Sequence, residues 1–386
     1  MKKSIAVLGS TGSIGKNLIN IIQKNRHDFK VELLTTDKNY KELFKQVTKL
    51  NVRHVIINNK ISYQKALRKK NNKRLKIYNS FNHFNKIFKN KVDYTMSSIS
   101  GLDGLKPTLD IIKHTKTIAI ANKESIICGW NLISQEIKKY NVNFIPVDSE
   151  HFSIWYAIKK NNVNIDNIIL TASGGPFYKL PISKFKDIKI FQALRHPNWN
   201  MGKKISIDSA TMMNKVFEII EAKKIFNIKY RNLSILIHPR SYIHAIIKFS
   251  DGIIKLIAHD TDMKIPIYNT LYDDFRRKIR TKRIDIEKLN NLKLDKINKN
   301  KFPMVKIIKN LPEKNSLFET ILVTANDEYV KLFLKNKIKF TDISKKLFSL
   351  IKIKEFHKYR SISPKNINDI IKLNNYVRMK INSKGI

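Results

Sequence analysis

The stretch Ile5-Ala-Val-Leu-Gly-Ser-Thr-Gly-Ser-Ile-Gly15 is the strongest indication of the fold of the first part of the chain. Four apolar residues predict a buried strand, a glycine-rich turn follows, and Leu18, Ile21 and Ile22 continue at helical spacing. Such a turn presents backbone N–H groups and a helix N-terminus to a pyrophosphate. The stretch therefore predicts a dinucleotide site, with a purely structural turn as the alternative.

Short β-rich runs continue to alternate with amphipathic helices up to about residue 148. The predicted strands are 5–8, 31–34, 54–57, 94–96, 117–120 and 143–145. This alternation is typical of βαβ units with a parallel sheet, which binds ligands at the carboxyl ends of its strands. We expect an α/β protein whose residues 1–148 form a Rossmann-like, NADPH-binding domain.

The pattern changes after residue 148 and again near residue 275. Residues 149–275 predict an α+β domain for catalysis, metal and substrate binding and dimerisation, with a helix over 209–226 and a hairpin around residues 250–252. Residues 276–312 are rich in Lys and Asn and predict a linker. Residues 313–386 predict a helical bundle whose last helix opens at Ser363-Pro364.

The composition favours a cytoplasmic protein. With 386 residues and 42% hydrophobic content, the chain is long enough for two or three domains. Apolar runs stay well below the roughly 20 residues that span a bilayer, and the first strand begins too early for a signal peptide. The single cysteine, Cys128, fits a reducing compartment.

The formal charge of +44 raises the question of a polyanionic partner. Lys and Arg number 75 against 31 acidic residues, but the excess is spread along the whole chain. It accompanies many Asn and Ile residues, which a codon bias explains without any partner. We therefore expect no nucleic-acid and no membrane binding, although the positive field can help to collect anionic substrates.

Asp148 and Glu150 are two residues apart behind a predicted strand. If that strand continued, both carboxylates would lie on one face. Hard oxygen ligands of this kind suit Mg²⁺ or Mn²⁺. Two acids at a loop usually form a solvated surface, so the metal interpretation depends on a third carboxylate, Glu218.

Residues 208–224 combine groups that suit an anion. On a helix Asn214 and Glu218 are i,i+4 neighbours, and Lys215 lies one step around. Ser209 stands where the helix N-cap is predicted, so its hydroxyl and the helix dipole would face an anion. The alternative for Asn214 is an ordinary residue of the helix surface.

Three other short segments carry polar groups or glycines suited to ligands. Ser173 opens a glycine turn that resembles a phosphate loop, with a plain tight turn as the alternative. Residues 196–202 join His, Pro, Trp and Gly and predict a mobile lid over the substrate. After the second strand, Lys38 suits the 2′-phosphate of NADP, whereas the neighbouring Asp37 opposes it.

In seven segments the sequence resembles the 1-deoxy-D-xylulose 5-phosphate reductoisomerases. They are GSTGSIG (9–15), ANKES (121–125), PVDSEH (146–151), SGGPF (173–177), RHPNWNMGKKISIDSATMMNK (195–215), HPRSYIH (238–244) and TANDE (324–328). They follow the family order over essentially the whole chain. The resemblance implies NADPH-dependent conversion of 1-deoxy-D-xylulose 5-phosphate to 2-C-methyl-D-erythritol 4-phosphate by a homodimer.

The resemblance also implies a role for each matching residue. Catalytic residues would be Lys123, Asp148, Glu150 and Glu218, of which the three carboxylates would bind Mg²⁺, Mn²⁺ or Co²⁺. The sugar-phosphate substrate would contact Lys123, Ser149, Glu150, Ser173, His196, Trp199, Ser209, Asn214, Lys215 and Glu218. NADPH would contact Thr11, Gly12, Ser13, Ile14, Asp37, Lys38, Asn39, Asn122, Glu124 and Gly202.

The chain departs from the family pattern at four places. Asp37 stands where the family usually has Gly, and Val216-Phe217 replaces Gly-Leu. Ala245 replaces Ser, and Asp327 replaces Glu in the C-terminal motif. None of these changes removes an expected metal or phosphate ligand.

Two other classes of protein are alternatives. Another NAD(P)-dependent dehydrogenase, such as one acting on an amino-acid semialdehyde, would need a Cys nucleophile or a His base. It would leave three acids and a Ser-Asn-Lys cluster unexplained. A basic nucleic-acid-binding protein would show salt-sensitive affinity for DNA or RNA without NADPH turnover.

Overall fold

The computed structural model describes residues 1–70, 72–159, 163–199, 201–272 and 278–383. They group into two compact units. Unit 1 consists of Met1–Ser125, Leu132–Phe152 and Met263–Arg280, and unit 2 of Ile126–Asn131, Ser153–Asp262 and Thr281–Ile386. The domain boundaries expected near residues 148, 275 and 312 stay predictions, and residue 275 lies outside the described residues.

Twelve strands are found in the described residues. They are β1 (Lys3–Leu8), β2 (Phe29–Thr36), β3 (His54–Ile57), β4 (Lys76–Tyr78), β5 (Val92–Ser97), β6 (Thr115–Ile120), β7 (Asn143–Pro146), β8 (Ile165–Ala172), β9 (Leu233–Ile237), β10 (Ile243–Phe249), β11 (Ile254–Ala258) and β12 (Asp295–Lys296).

The helices alternate with these strands and dominate the C-terminal third. In chain order they are α1 (Ser13–Lys24), α2 (Tyr40–Leu50), α3 (Lys60–Arg68), α4 (Phe84–Ile87), α5 (Leu105–Ile112), α6 (Lys123–Lys139), α7 (Ser149–Ile158), α8 (Ile190–Ala193), α9 (Lys203–Thr211), α10 (Met213–Phe226), α11 (Lys264–Leu271), α12 (Ile286–Asn290), α13 (Phe318–Leu334), α14 (Phe340–Ile351), α15 (Lys354–His357) and α16 (Ile367–Ser383). Short 3₁₀ helices span Phe81–His83, Leu102–Gly104, Ile182–Asp187, Tyr230–Asn232, Pro303–Asn310 and Lys358–Arg360.

Unit 1 is built on a parallel sheet of seven strands in the order β4-β3-β2-β1-β5-β6-β7. The central strands are apolar and buried because helices cover both faces of such a sheet. The predicted α/β fold with a Rossmann-like first domain is confirmed. Strand β4 was not predicted, since its few residues carry no alternating pattern.

Unit 2 contains a five-stranded sheet in the order β11-β10-β8-β9-β12. The predicted hairpin is present: β10 and β11 pair antiparallel, and Gly252 in the connecting turn has φ +88°. Strand β8 pairs parallel with β9, so its carboxyl end lies beside that of β9. This places residue 173 next to the turn at residues 238–241.

The predicted continuous helix over 209–226 is wrong. Helix α9 ends at Thr211, Met212 adopts a left-handed conformation with φ 64°, and α10 starts at Met213. Ser209 therefore lies in the last turn of α9 and is not a helix N-cap. Met212 is buried, so the packing around it holds a conformation that a non-glycine residue seldom adopts.

Two other sequence-based expectations differ from the structure. The last helix begins at Ile367 rather than at Ser363-Pro364, because the Asn366 side chain accepts the Asn368 and Asp369 N–H groups. The region predicted as a linker contains α12, β12 and a 3₁₀ helix, while its residues 276 and 277 lie outside the described ones.

The helical character of the C-terminal region is confirmed, since α13, α14 and α16 account for much of it. Buried apolar residues run along all three helices. No helix among the described residues is long and apolar enough to cross a membrane.

Candidate active site

The glycine-rich turn of unit 1 follows β1 directly, and two of its glycines have no room for a side chain. A Cβ on Gly9, where φ is +83°, would lie 2.8 Å from the Ser98 carbonyl oxygen. A Cβ on Gly15 would lie 2.4 Å from the Gly9 carbonyl oxygen. Only glycine lets the strand turn this closely into α1.

Helix α1 begins after Gly12, which has no side chain to cap it. The N–H groups and positive dipole end of its first turn, at Ser13 and Ile14, therefore suit an anion. The Thr11 hydroxyl lies 2.6 Å from the Thr36 hydroxyl and ties the turn to the end of β2. The structure thus brings the four expected cofactor residues 11–14 together at the carboxyl ends of β1 and β2.

Three further expected cofactor residues follow β2. Asp37, Lys38 and Asn39 are all exposed. Asn39 also caps α2, because its side-chain oxygen accepts the Glu42 N–H at 3.2 Å. The segment is therefore open to a ligand, and Asn39 has a structural task in addition to any cofactor contact.

The start of α6 is held by Asn122. Its side-chain oxygen accepts the Ser125 N–H at 2.8 Å, and its amide nitrogen donates to the Gly101 carbonyl at 2.8 Å. Lys123 and Glu124 occupy the first turn of α6. Asn122 is thus a buried helix cap that fixes where these two side chains start.

Asp148 does not lie in a continuing strand, as one sequence argument assumed. Strand β7 ends at Pro146 and α7 starts at Ser149, so Glu150 lies in the first helical turn. The backbone turns there because the Asp148 carbonyl accepts the Phe152 N–H at 2.7 Å, the first hydrogen bond of the helix. The same-face argument for the two carboxylates is therefore wrong.

The charge of Asp148 is stabilised within unit 1. Lys123 Nζ lies 2.6 Å and His151 Nδ1 3.5 Å from Asp148 Oδ2. Burial would raise the pKa of Asp148, but the Lys123 ammonium and the His151 ring outweigh it and hold that pKa well below its usual range. Asp148 is thus ionised at neutral pH. Glu150 accepts a hydrogen bond from the Ser149 hydroxyl.

In unit 2, the loop after β8 carries Ser173. Its Oγ accepts the Gly175 N–H at 3.0 Å and lies 3.0 Å from His196 Nε2. His196 Nδ1 accepts the Asn198 and Trp199 N–H groups at 3.2 and 3.0 Å, so in the neutral ring the proton is assigned to Nε2. Ser173 Oγ then accepts two hydrogen bonds and keeps its own O–H to donate.

The Ser173 loop packs against the last turn of α9. A Cβ on Gly175, where φ is +67°, would lie 2.9 Å from the Ser209 carbonyl oxygen. Glycine allows this approach, which places the loop beside Ser209 although they are far apart in sequence. The Ser173 loop and the backbone of Ser209 are therefore neighbours within unit 2.

Helix α10 carries three more of the expected residues in its first two turns. The Asn214 amide donates to Glu218, as the i,i+4 spacing predicts, and Lys215 forms an ion pair with Glu218. Lys215 and Glu218 are 4% and 1% exposed, so this ion pair is almost fully desolvated. Met213 and Val216 belong to the core, as predicted.

Trp199 and Gly202 lie on either side of Asn200, which is outside the described residues. Asn198 holds the segment, because its amide donates to the Pro239 carbonyl at 2.7 Å and to Ser241 Oγ at 2.9 Å. A Cβ added to Gly202 meets nothing within 4 Å. The mobile lid expected over 196–202 stays a prediction.

Sequence reasoning assigned no role to Asp208 and Asn326. Asp208 precedes Ser209, and Asn326 belongs to the TANDE segment on α13. The Asn326 amide donates to Asp208 Oδ1 at 2.7 Å. Both residues lie within motifs of the family resemblance, and this was the only sequence signal for them. No local pattern links two positions that are 118 residues apart.

Unit 1 has a parallel sheet and a glycine turn that leads directly into a helix N-terminus, which is typical of dinucleotide-binding enzymes. Unit 2 carries the Ser173 loop and, on α10, Asn214 and Lys215, which suit an anionic substrate. The class is therefore a dinucleotide-dependent α/β enzyme that acts on an anion. A family model described as 1-deoxy-D-xylulose 5-phosphate reductoisomerase matches residues 5–129. Models of C-terminal domains of the same enzyme match residues 144–226 and 259–380. The chain belongs to the 1-deoxy-D-xylulose 5-phosphate reductoisomerase family, as its motifs predicted.

Individual relatives support this membership over the whole chain. The 1-deoxy-D-xylulose 5-phosphate reductoisomerase of Pelagibacter ubique is 57% identical, with 100% of both chains covered. The structure of the Zymomonas mobilis enzyme in complex with NADPH matches with a TM-score of 0.90 at 30% identity, covering 100% of this chain and 99% of that one. A crystal structure of DOX-P reductoisomerase with NADPH, fosmidomycin and magnesium matches with a TM-score of 0.92 at 30% identity, covering 99% and 98%.

Proposed function

We propose that this chain converts 1-deoxy-D-xylulose 5-phosphate to 2-C-methyl-D-erythritol 4-phosphate with NADPH, within the non-mevalonate isoprenoid pathway. The observation that carries the proposal is the packing of the Ser173 loop against Ser209. It brings together, within unit 2, two distant segments that the family motifs single out, one with Ser173 and one with Ser209. The identity of 57% to the Pelagibacter ubique enzyme over the full length supports the same conclusion.

The residues around the glycine turn fit a dinucleotide. Glycine at position 15 lets α1 pack directly against the backbone of Gly9 and Ser10, and no side chain caps the first turn of α1, whose N–H groups can therefore face a pyrophosphate. Thr11, Gly12, Ser13 and Ile14 would hold it, and Lys38 and Asn39 would hold the ribose end. Asn122, Glu124 and Gly202 complete the proposed contacts. When bound, NADPH supplies the hydride that reduces the rearranged aldehyde.

Asp148, Glu150 and Glu218 are proposed to hold one divalent cation, Mg²⁺, Mn²⁺ or Co²⁺. The donor set fits, because all three offer hard carboxylate oxygens and Asp148 is kept ionised by Lys123. When bound, the cation stabilises negative charge that develops on substrate oxygens. Lys123 and Ser149 are proposed to orient the sugar end.

The substrate phosphate is proposed to bind Ser173, His196, Ser209, Asn214 and Lys215. The Ser173 hydroxyl is directed by the two hydrogen bonds that it accepts, so it can donate its proton to a phosphate oxygen. The phosphate does not react, so its binding energy is available for orienting the carbons that do. Closure of the Trp199 segment would then exclude water from the aldehyde.

We further propose a cytoplasmic homodimer in which the second copy covers strand β11. This edge strand of the five-stranded sheet and the residue before it expose Ile253, Ile254 and Leu256 by 56%, 54% and 48%. An apolar edge with unpaired backbone groups favours association with another chain. Light scattering should give a dimer for the wild type and a monomer for Leu256→Lys.

One assay tests the proposed activity. The chain should oxidise NADPH when 1-deoxy-D-xylulose 5-phosphate is added, and EDTA should abolish the rate until Mg²⁺ or Mn²⁺ is restored. An amino-acid semialdehyde should give no rate. Turnover of the semialdehyde, or turnover of the sugar phosphate that survives complete metal removal, would contradict the proposal.

A further inference from the structure

A buried polar network joins the last turn of α9 to α13 in unit 2. Asp208 Oδ1 accepts from the Asn326 amide at 2.7 Å, and Asp208 Oδ2 lies 2.9 Å from Lys204 Nζ. Lys204 Nζ also lies 3.2 Å from Asp327 Oδ1. Asp208 and Asn326 are 1% and 0% exposed, so their hydrogen bond is shielded from water. The end of α9 is thereby anchored to a helix more than a hundred residues away.

The network fixes the turn that carries a proposed phosphate ligand. Asp208 directly precedes Ser209, and the Asp208 carbonyl also accepts the Thr211 hydroxyl at 3.2 Å. Because Met212 breaks the helix immediately afterwards, α9 and α10 do not stabilise this turn as one continuous helix. The Asn326 hydrogen bond to Asp208 therefore restrains the residue that directly precedes Ser209.

The electrostatics of the network point the same way. A carboxylate one residue from a phosphate ligand would repel a phosphate dianion if its charge were uncompensated. Lys204 offsets the charge of Asp208, and the Asn326 amide satisfies its other oxygen. Although Lys204 is shared with Asp327, these two contacts reduce the repulsion that Asp208 would exert on an anion at Ser209.

A buried Asn at position 326 would destabilise the fold if this side chain served only to pack the interior. Its side-chain oxygen is buried without a hydrogen-bond partner among the described residues. A buried unsatisfied acceptor destabilises the fold, and an apolar side chain of the same size would avoid that penalty. The hydrogen bond from the Asn326 amide to Asp208 explains why an Asn is present at this position.

We propose that Asp208 and Asn326 are positioning residues that set the place of Ser209 and so the preference for phosphorylated substrates. This inference rests on the proposed function, since it deepens the role of the same phosphate site. Neither residue is among the proposed ligands of the metal, the substrate or NADPH. Both act through the turn of α9 that lies against the Ser173 loop.

A charge exchange across the hydrogen bond tests the proposal. Asn326→Asp places a second carboxylate against Asp208, so kcat/KM for the phosphorylated sugar should fall by roughly ten- to a hundredfold, mostly through KM. The dephosphorylated sugar should change much less. The double variant Asp208→Asn with Asn326→Asp restores an amide–carboxylate hydrogen bond of reversed direction, and most of the loss should be recovered.

A second measurement does not depend on turnover. Inorganic phosphate should raise the unfolding midpoint of the wild-type chain by mass action, and this shift should be lost in Asn326→Asp and regained in the double variant. Thr324→Val is the matched control, because it removes a 2.9 Å hydrogen bond from α13 to Asn374 on α16 instead. That control should lower the midpoint but keep the phosphate shift.

The outcomes separate the two proposals. Equal losses for both sugars, or a phosphate shift that survives Asn326→Asp, would overturn the positioning role. Failure of the double variant to recover phosphate binding despite a wild-type midpoint would overturn it as well. A wild-type chain that shows the phosphate shift but never oxidises NADPH would instead refute the proposed function.

Discussion

Replacing Lys215 by alanine tests the phosphate site, because the structure gives this side chain two tasks. Its ammonium group is the one full positive charge within the proposed Ser209–Lys215 cluster, and it also forms a buried ion pair with Glu218. Lys215 is 4% and Glu218 1% exposed, so solvent screens neither charge. The substitution should therefore affect both phosphate binding and the stability of unit 2.

The two effects have different sizes. A hydrogen bond to a charged group contributes about 1.5–3 kcal/mol, which corresponds to about ten- to a hundredfold in kcat/KM for the phosphorylated sugar. Removing one partner of a buried ion pair costs about 3–5 kcal/mol of unfolding free energy, because the remaining charge stays buried. We expect both losses in Lys215→Ala.

The assay compares phosphorylated and dephosphorylated sugar at saturating Mg²⁺, with urea unfolding of the same preparations. Lys223→Ala is the matched control on the same helix, because Lys223 pairs with the exposed Glu313 at 3.4 Å. Glu313 is largely exposed and Lys223 partly so, and a solvent-screened pair of this kind contributes only about 0–1 kcal/mol. The control should leave substrate preference and stability nearly unchanged.

A direct contact between Lys215 and the phosphate is refuted if Lys215→Ala reduces turnover of both sugars by the same factor at saturating metal. The residue would then support Glu218 and the helix, without a direct contact to the phosphate. Unchanged stability would refute the second half of the argument, since it would mean that the buried ion pair with Glu218 contributes nothing.

Three other predictions concern the metal, the cofactor and acid stability. Glu218→Gln keeps the size of the side chain and removes its charge, so the Mg²⁺ concentration for half-maximal activity should rise while α10 remains folded by circular dichroism. Asp37→Gly removes a carboxylate next to the proposed 2′-phosphate site, so kcat/KM should improve more for NADPH than for NADH in steady-state assays. Burial would raise the pKa of Asp93, but Lys116 and Ser4 outweigh it and lower this pKa to about 2. The carboxylate thus contributes stability above pH 3.8, its unfolded value, and loses this contribution as the pH falls towards 2. In acid unfolding curves Asp93→Asn should be less stable than the wild type at pH 7 and approach it near pH 2.

Each of these has an outcome that contradicts it. An unchanged Mg²⁺ requirement in Glu218→Gln would remove this residue from the metal site. Equal effects of Asp37→Gly on both cofactors would show that Asp37 does not sense the 2′-phosphate. A constant stability difference for Asp93→Asn between pH 7 and pH 2 would mean that the charge of Asp93 is not involved.

Local pattern was sufficient where structure is determined by neighbours in the chain. The glycine turn after β1 is one such case, because strand, turn and helix follow each other within about twenty residues. The apolar strands of the parallel sheet are another, because burial on both faces requires continuous apolar runs. The i,i+4 contact of Asn214 with Glu218 followed from helix geometry alone.

The motifs were sufficient for the family assignment, because they too are read from neighbouring residues in the chain. Ligand chemistry restricts the residue types at a few positions. These positions can be recognised in the sequence without knowing how they are arranged in space. The motifs were therefore sufficient to predict the family, the cofactors and the candidate ligand residues.

How these positions meet depends on long-range packing. The break at Met212 moved Ser209 from a predicted helix N-cap to a helix end, and no local signal marks it, because surrounding packing holds the left-handed residue. The approach of Gly175 to Ser209 and the hydrogen bond from Asn326 to Asp208 join segments far apart in the chain. Contacts of this kind depend on how separate elements pack, and sequence periodicity describes only one element at a time.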